Sequence, residues 1–582
     1  MRGTAAPDHR SHPVGVRSSE LGLTGSGNPG PYPLAGEYDK VGDDEARLWS
    51  VSRRVHAANA RLDLRFPDLA GKGELMLHAS PQVEPRQDSR AATGIEGLDD
   101  VLGGGFTPNR LYLVEGVPGS GKTTLAMQFL LEGVRRGEPV LYVTLSETEE
   151  ELRAVAASHG WSLDNVNIRE LVPTEQSLLP DEQYTMFHPS EVELSETTKT
   201  ILADVERIKP TRVAFDSLSE LRLLAANPLR YRRQILALKH FFAGRSCSVL
   251  LLDDLTGAAH DLQVQSIAHG AVRLEQLNPE YGAERRRLIV LKFRGVRFRG
   301  GYHDYAIRHG GIEVFPRLIA AEHRSAVDME KLPSGLPEMD TLLGGGIERG
   351  TSTLIVGAAG TGKSSLASQF VAAAATRGLN SALFIFDESI TTLMTRSAAL
   401  GIDLATPVAS GMVTVQQVDP AELSPGEFAH AIRRSVERHG ATIVVIDSLN
   451  GYLNAMPEER FLIIQLHELL TYLGQAGVAT ILIGAHQGLI GSAMITPVDA
   501  SYLADAVILM RYYEMKGEVR QAISVVKKRG GAHERTIRDF RMENGRGIKV
   551  GAALRDFRGI LTGVPVYEGG DGKMMSEGRP RD

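Results

Sequence analysis

The sequence predicts an α/β protein of two tandem domains, each a mainly parallel sheet flanked by helices, following a mostly disordered N-terminal leader. Three observations predict it. A Gly-rich phosphate-binding pattern occurs twice, as "GVPGSGKTTLAMQF" from Gly116 and as "GAAGTGKSSLASQF" from Gly357. The likeness extends upstream: "TGIEGLDDVLGGGFTPNRLYLVEGVPGSGKTTL" is echoed by "SGLPEMDTLLGGGIERGTSTLIVGAAGTGKSSL", which marks a duplicated unit rather than a repeated loop. After each loop, helical patterns alternate with short apolar runs such as "RVAFD", "CSVLLLDD", "TIVVID" and "ATILIGA". Such alternation implies parallel strands with helices on both faces.

Residues 1–88 are rich in Pro, Gly, Arg and Asp and carry no sustained period beyond a short helical pattern at "EARLWSVSRRVHAANARL". Met76, shortly before the first domain, is a candidate for the true translation start, which would place most of the leader outside the protein. The first domain is expected over 89–322 and the second over 323–565, with the seam near 316–334 and a polar tail over 566–582. A chain of 582 residues exceeds a single ordinary core. Its 42% hydrophobic and 23% charged residues match ordinary soluble usage. No run approaches the roughly 18–20 apolar residues that span a bilayer, and the N-terminus lacks an apolar signal region. The expectation is a cytoplasmic protein without membrane association. Cys247 is the only cysteine, which excludes intrachain disulfides and Cys-rich zinc sites; a buried core thiol is expected there. The net charge of −7 argues against nucleic acid as the main partner, although a local basic stripe could hide in an acidic total.

Both loops match G-x-x-x-x-G-K-[ST] between an apolar run and a helical pattern, the context the motif requires. The nucleotide-binding candidates are Gly116, Gly119, Ser120, Gly121, Lys122, Thr123 and Thr124 in the first loop. In the second they are Gly357, Gly360, Thr361, Gly362, Lys363, Ser364 and Ser365. Glycines let backbone N–H groups curl around phosphate oxygens, and the helix N-terminus adds partial positive charge. Lys122 and Lys363 are expected to reach the β and γ phosphates of ATP. Thr123 and Ser364 offer hydroxyls to Mg²⁺, with Asp216 and Asp447 ending buried strands beside it. An Asp at a strand end is often only a turn or cap residue, but here each is paired with a loop.

Hydrolysis also needs a carboxylate that orients or deprotonates the attacking water. "LYVTLSETEEEL" offers Glu147, and "ALFIFDESITTL" offers Asp387 and Glu388, the glutamates ending the strands that follow the loops. Each glutamate lies 25 residues after its loop lysine (122 to 147, 363 to 388). Glu149, Glu150 and Glu151 are instead read as an acidic helix start favoured by the helix dipole.

With these residues in view, the chain resembles the KaiC family of tandem P-loop ATPases, within the wider RecA-like group, over about 89–565. "GGGF" and "GGGI" before the loops carry the resemblance, together with the acidic strand ends. So do the later segments "LIVLKFRGVRFRGGYHDYAIRHGGIEVFP" and "RQAISVVKKRGGAHERTIRDF". The resemblance implies two RecA-like P-loop domains that stack as two rings, normally hexameric, with each nucleotide between neighbouring subunits. It assigns Lys292, Arg294, Lys527 and Arg529 to contact the neighbour's γ-phosphate; solvated strand charges are the alternative. It further implies a regulatory protein partner at the C-terminal domain and autophosphorylation in the second domain. Within "TPVDASYLADAVILMRYY", Ser501 is the phosphoacceptor candidate, and Tyr502 stands where the family's clock members have Thr. The clock members also carry two carboxylates after the first loop, where this chain has Ser146 before Glu147. The second domain keeps a pair, with Asp387 one methylene shorter.

Two other functional classes share these motifs: a DNA-dependent RecA-like motor, and an assembly scaffold that binds ATP with negligible turnover. The acidic total and the lack of a clear aromatic-interleaved basic loop argue against the motor. Retention of Glu147 and Glu388 argues against the scaffold.

Overall fold

The computed structural model describes residues 90–171, 189–225, 227–255, 262–279, 282–323, 330–419, 421–454, 461–485, 502–561 and 565–568. The leader, most of the tail and Ser501 lie outside them.

The first domain is built on a nine-stranded sheet. Its strands are β1 (Leu111–Gly116), β2 (Val140–Thr144), β3 (Asn167–Glu170), β4 (Arg212–Asp216), β5 (Ser248–Asp254), β6 (Gly270–Leu277), β7 (Arg285–Phe293), β8 (Tyr302–Arg308) and β9 (Gly311–Phe315). The spatial order is β3-β2-β4-β5-β1-β6-β7-β8-β9. The first six strands pair in parallel, and the last three add an antiparallel extension. After a two-stranded hairpin of β10 (Lys331–Leu332) and β11 (Ile347–Glu348), the second domain repeats the plan. It uses β12 (Ser352–Gly357), β13 (Ser381–Ile385), β14 (Val413–Gln417), β15 (Ile443–Asp447), β16 (Ala479–Ala485), β17 (Ala506–Met515), β18 (Glu518–Lys528), β19 (Arg538–Glu543) and β20 (Gly547–Ala553). Their order is β14-β13-β15-β16-β12-β17-β18-β19-β20. Two short strands, Phe557–Arg558 and Val566–Tyr567, pair beyond it.

The central strands are apolar on both faces because both faces are covered. On β1, Tyr112 and Val114 join one cluster with Leu125 and Phe129 of the helix Lys122–Arg135. Leu111 and Leu113 join the other with Leu218 and Ile235. The second sheet divides in the same way. Cys247 is buried among apolar neighbours, which push its thiol up to about 12. Among the described residues, no helix is long and apolar enough to cross a membrane.

The antiparallel extension, absent from the sequence reading, positions the site. β8 carries two adjacent residues with different duties. Tyr305 donates its hydroxyl to the Ser120 carbonyl of the first phosphate loop at 2.6 Å. The Asp304 carboxylate accepts from the Gly426 amide at 2.8 Å, at the start of the second-domain helix Pro425–His439. A carboxylate is favoured at such an N-terminus, and burial pushes the Asp304 pKa up. Arg308, on the same strand, pairs with Glu427 of that helix.

Candidate functional site

Each loop turns off the carboxyl end of its sheet's central strand, β1 or β12, into a helix that begins at the motif lysine. The turn demands glycine. Gly121 and Gly362 precede the lysines with φ of 92° and 99°, a region L side chains rarely adopt. A Cβ at Gly116 would lie 2.5 Å from Ser120 Oγ and 2.7 Å from the Leu274 carbonyl. The local sequence thus fixes a loop whose amides and helix N-terminus can face an anion.

In the first domain, Thr123 Oγ1 donates to Asp216 Oδ2 at 2.7 Å, and the buried Tyr142 hydroxyl donates to the same oxygen at 2.6 Å. Burial raises the Asp216 pKa, opposed by these two hydrogen bonds. In the second domain the Ser364 hydroxyl bonds Asp447, whose pKa burial pushes up to about 6. Each site therefore joins the expected hydroxyl to the expected strand-end carboxylate. Among the described residues, no three His, Cys, Asp or Glu side chains gather as a metal site. A hydroxyl beside one or two carboxylates is the donor set that fits a hard cation keeping its waters and phosphate ligands, as Mg²⁺ does.

Glu147 and Glu388 do not end their strands. β2 stops at Thr144 and β13 at Ile385, and each glutamate lies three residues further, in the turn before the next helix. Thr144 closes the first turn, its hydroxyl donating to the Glu147 carbonyl at 2.7 Å and accepting the Glu147 amide at 3.0 Å. Glu151, by contrast, forms a capping box with Thr148, the helix-start role expected of it.

The two glutamates differ in their surroundings. Glu147 Oε2 is buried and has no hydrogen-bond partner among the described residues. Burial raises the Glu147 pKa, and the negative charges of Asp216, Glu151 and Asp254 raise it further. Glu388 is held by Arg396 at 2.5 Å, and the same guanidinium donates to Ser365 Oγ at 2.8 Å. Asp387 accepts a hydrogen bond from Ser448. At the position of Arg396, 241 residues earlier, the first domain has Val155.

The four cations attributed to neighbour contact sit at the far end of their own sheets. On β7, Lys292 pairs with Ala271 of β6, whereas the loop departs from Gly116, opposite Leu274. At about 3.3 Å per residue, the offset of three positions is about 10 Å along the sheet. Lys292 donates to the carbonyls of Gln265 at 2.6 Å and Ala268 at 2.8 Å, and Arg294 to that of Ser266 at 2.8 Å. In the second domain Lys527 donates to the Ala504 carbonyl at 2.8 Å. Arg529 pairs with Asp505 at 3.2 Å and donates to the Tyr502 carbonyl at 2.8 Å. Ser501 lies outside the described residues.

Two residues escaped the sequence reading. Asp254, at the end of β5, forms an ion pair with Lys122 at 2.6 Å. Its signal was the acidic pair closing "CSVLLLDD". Arg396 had no such signal, being one Arg on an amphipathic helix. The Arg396 guanidinium donates to a Glu388 carboxylate oxygen and so occupies an acceptor that an attacking water would need. Arg396→Met is therefore expected to raise second-site ATP hydrolysis about threefold to tenfold, measured as phosphate release in a Lys122→Ala background. An unchanged or lower rate would mean that Arg396 does not restrain Glu388.

Comparison with known proteins agrees with the geometry. The family model described as "ATPase: KaiC" matches twice, over residues 91–319 and 332–555. The chain is 27% identical over 484 residues to "Circadian clock protein KaiC3" of Synechocystis sp., covering 82% of this chain and 94% of that one. It is 27% identical over 509 residues to "Circadian clock oscillator protein KaiC" of Parasynechococcus marenigrum, covering 86% and 96%. It is 28% identical over 496 residues to the protein of that name from Parathermosynechococcus lividus, covering 84% and 90%. Two matched domains, each with a phosphate loop on the central strand of its sheet, establish that the chain belongs to the KaiC ATPase family.

Proposed function

We propose that the chain is a homo-hexameric ATPase that hydrolyses ATP in its first domain and transfers a phosphoryl group to Ser501 in its second, acting as a timing or signalling protein. The observation that carries the hydrolytic reading is the unpartnered, buried Glu147 carboxylate oxygen beside the Thr123–Asp216 pair. It is the base left free for a water. The loop amides from Gly119 to Thr124 and from Gly360 to Ser365 cradle the phosphates, and Lys122 and Lys363 contact the β and γ groups. Thr123 with Asp216, and Ser364 with Asp447, would hold Mg²⁺, which supplies charge neutralisation on the phosphates when bound. Glu147 takes a proton from water as its oxygen bonds to the γ phosphorus and the bond to the β,γ-bridging oxygen breaks, leaving ADP and phosphate.

Lys292, Arg294, Lys527 and Arg529 complete the neighbour's pockets; their distance from their own loops supports this reading. The timing role is supported by the names of the relatives, which are circadian clock proteins. A regulatory protein partner at the C-terminal domain belongs to the same reading, as do domain limits of 89–322 and 323–565. The Glu388–Arg396 pair favours slow turnover in the second ring.

The test is ATPase activity with and without single-stranded DNA, together with light scattering in a non-hydrolysable ATP analogue. DNA-independent turnover and analogue-driven assembly to a hexamer are expected. Stimulation by DNA would convert the reading to a motor, and a monomer at saturating analogue would overturn the neighbour-completed pocket.

A further inference from the structure

The two loop lysines are buried alike but are not electrostatically alike. Lys122 Nζ pairs with Asp254 at 2.6 Å and donates to the carbonyls of Gly116 and Val117, both at 3.0 Å. All three donors of the ammonium are spent within the chain. The topology delivers Asp254, because β5 runs parallel beside β1 with Asp254 opposite Gly116. Its other oxygen accepts from Ser219 at 3.1 Å. In the second domain β16 lies beside β12 in the same register, but the residue opposite Gly357 is Ala485. Lys363 donates to the Ala358 carbonyl at 2.8 Å and makes no ion pair among the described residues. Burial lowers its pKa, opposed only by the more remote charge of Asp447.

We propose that Asp254 is a charge latch on the first phosphate loop: its carboxylate pairs with the Lys122 ammonium, and the nucleotide's terminal phosphates must compete with it for that lysine. This rests on ATP being the ligand of both loops. Two costs follow for the first site alone. The lysine's attraction for phosphate is already answered by a carboxylate in contact with it. The displaced carboxylate then stays close to Glu147, Asp216 and the arriving polyanion, where like charges repel. The second site, with Ala485, carries neither cost and binds nucleotide more tightly. Asp254 acts through Lys122 and is a positioning residue.

The sign of one substitution separates a latch from a support. If Asp254 only held Lys122 in a productive pose, its removal would weaken nucleotide binding; a latch predicts the opposite. In the full-length chain carrying Lys363→Ala, Asp254→Asn is expected to lower the Kd of a fluorescent ATP analogue about tenfold, the scale of a partly buried ion pair. The reciprocal transplant, Ala485→Asp in a Lys122→Ala background, is expected to raise the second site's Kd by a similar factor. Asn450 holds the Ala485 backbone on both sides, at 2.7 and 3.1 Å, so that change adds a side chain without removing a strand contact. Unchanged or weaker binding in Asp254→Asn, with unaltered thermal unfolding, overturns the latch. Should Asp254→Asn fail to fold, the transplant decides, and an unchanged Kd there overturns it equally. Absence of analogue binding in both parent backgrounds would instead overturn the ATP reading itself.

Discussion

Glu147→Gln is expected to reduce first-domain ATP hydrolysis by about two to four orders of magnitude while leaving ATP bound, the range associated with removing a general base. The substitution keeps the shape of the side chain and removes only its capacity to take a proton. The Thr144 hydroxyl holds the Glu147 backbone, not its side chain, so the turn should survive. Phosphate release in a Lys363→Ala background isolates the first site, and retention of a fluorescent ATP analogue shows that the cradle is intact. Full turnover in Glu147→Gln would mean that another group activates the water. The pH profile gives an independent reading. Burial and neighbouring negative charge raise the Glu147 pKa, so the base is lost at a higher pH than for an ordinary glutamate. The acid limb of kcat/KM, which reports the free enzyme, should therefore begin above the usual carboxylate range and disappear in Glu147→Gln.

The unequal surroundings of the two sites give these tests their contrast. Among the described residues, the first-domain lysine is in an ion pair and a Glu147 carboxylate oxygen has no hydrogen-bond partner, whereas the second-domain lysine has no ion pair and the glutamate is held by Arg396. A site that binds weakly but has a free base turns over and releases its nucleotide. One that binds tightly with a restrained base retains ATP, the condition under which a protein hydroxyl can compete with water.

What was legible in the sequence is what neighbours in sequence decide. The loops, their helices and the duplicated plan are local, and "RVAFD" and "TIVVID" announce buried strands ending in acid because the residues just before each Asp, Val213 to Phe215 and Ile443 to Ile446, are all apolar. Asp254 was not legible as a partner of Lys122 because they lie 132 positions apart and meet only through the parallel pairing of β5 with β1. The antiparallel extension was missed for a different reason. Its strands mix apolar residues with Arg, Lys, His and Asp, as "YHDYAIR" does, because one face packs on the core while the other carries polar contacts. The cross-domain contact of Asp304 with Gly426 is equally invisible from spacing. Placing Glu147 at the strand end failed by three residues because a Thr side-chain hydrogen bond, rather than the ladder, shapes that turn.

Label from γ-labelled ATP is expected on Ser501, and it should be lost completely in both Ser501→Ala and Glu388→Gln while surviving in Glu147→Gln. Ser501 lies outside the described residues, but its sequence neighbour Tyr502 is tied by its carbonyl to Arg529 at 2.8 Å. Arg529 is one of the cations proposed to touch the adjoining subunit's γ-phosphate, so under that proposal Tyr502 stands beside a group at the subunit boundary. Transfer needs the hydroxyl oxygen in line with the γ phosphorus, and small displacements cost heavily in rate. The Tyr502 ring is exposed and carries its hydroxyl several ångströms further from the backbone than serine does, so it should not reach the same point. The reaction would form an oxygen–phosphorus bond to Ser501 and break that to the β,γ-bridging oxygen, with Glu388 of the second-domain pocket taking the hydroxyl proton. Peptide mass spectrometry after incubation reads the site directly. Label on Tyr502 would refute the reach argument, and hydrolysis without any label would leave the second domain an ATPase only. Survival of the Ser501 label in Glu388→Gln would move the base elsewhere, with Asp387, hydrogen-bonded to Ser448, the next carboxylate to substitute.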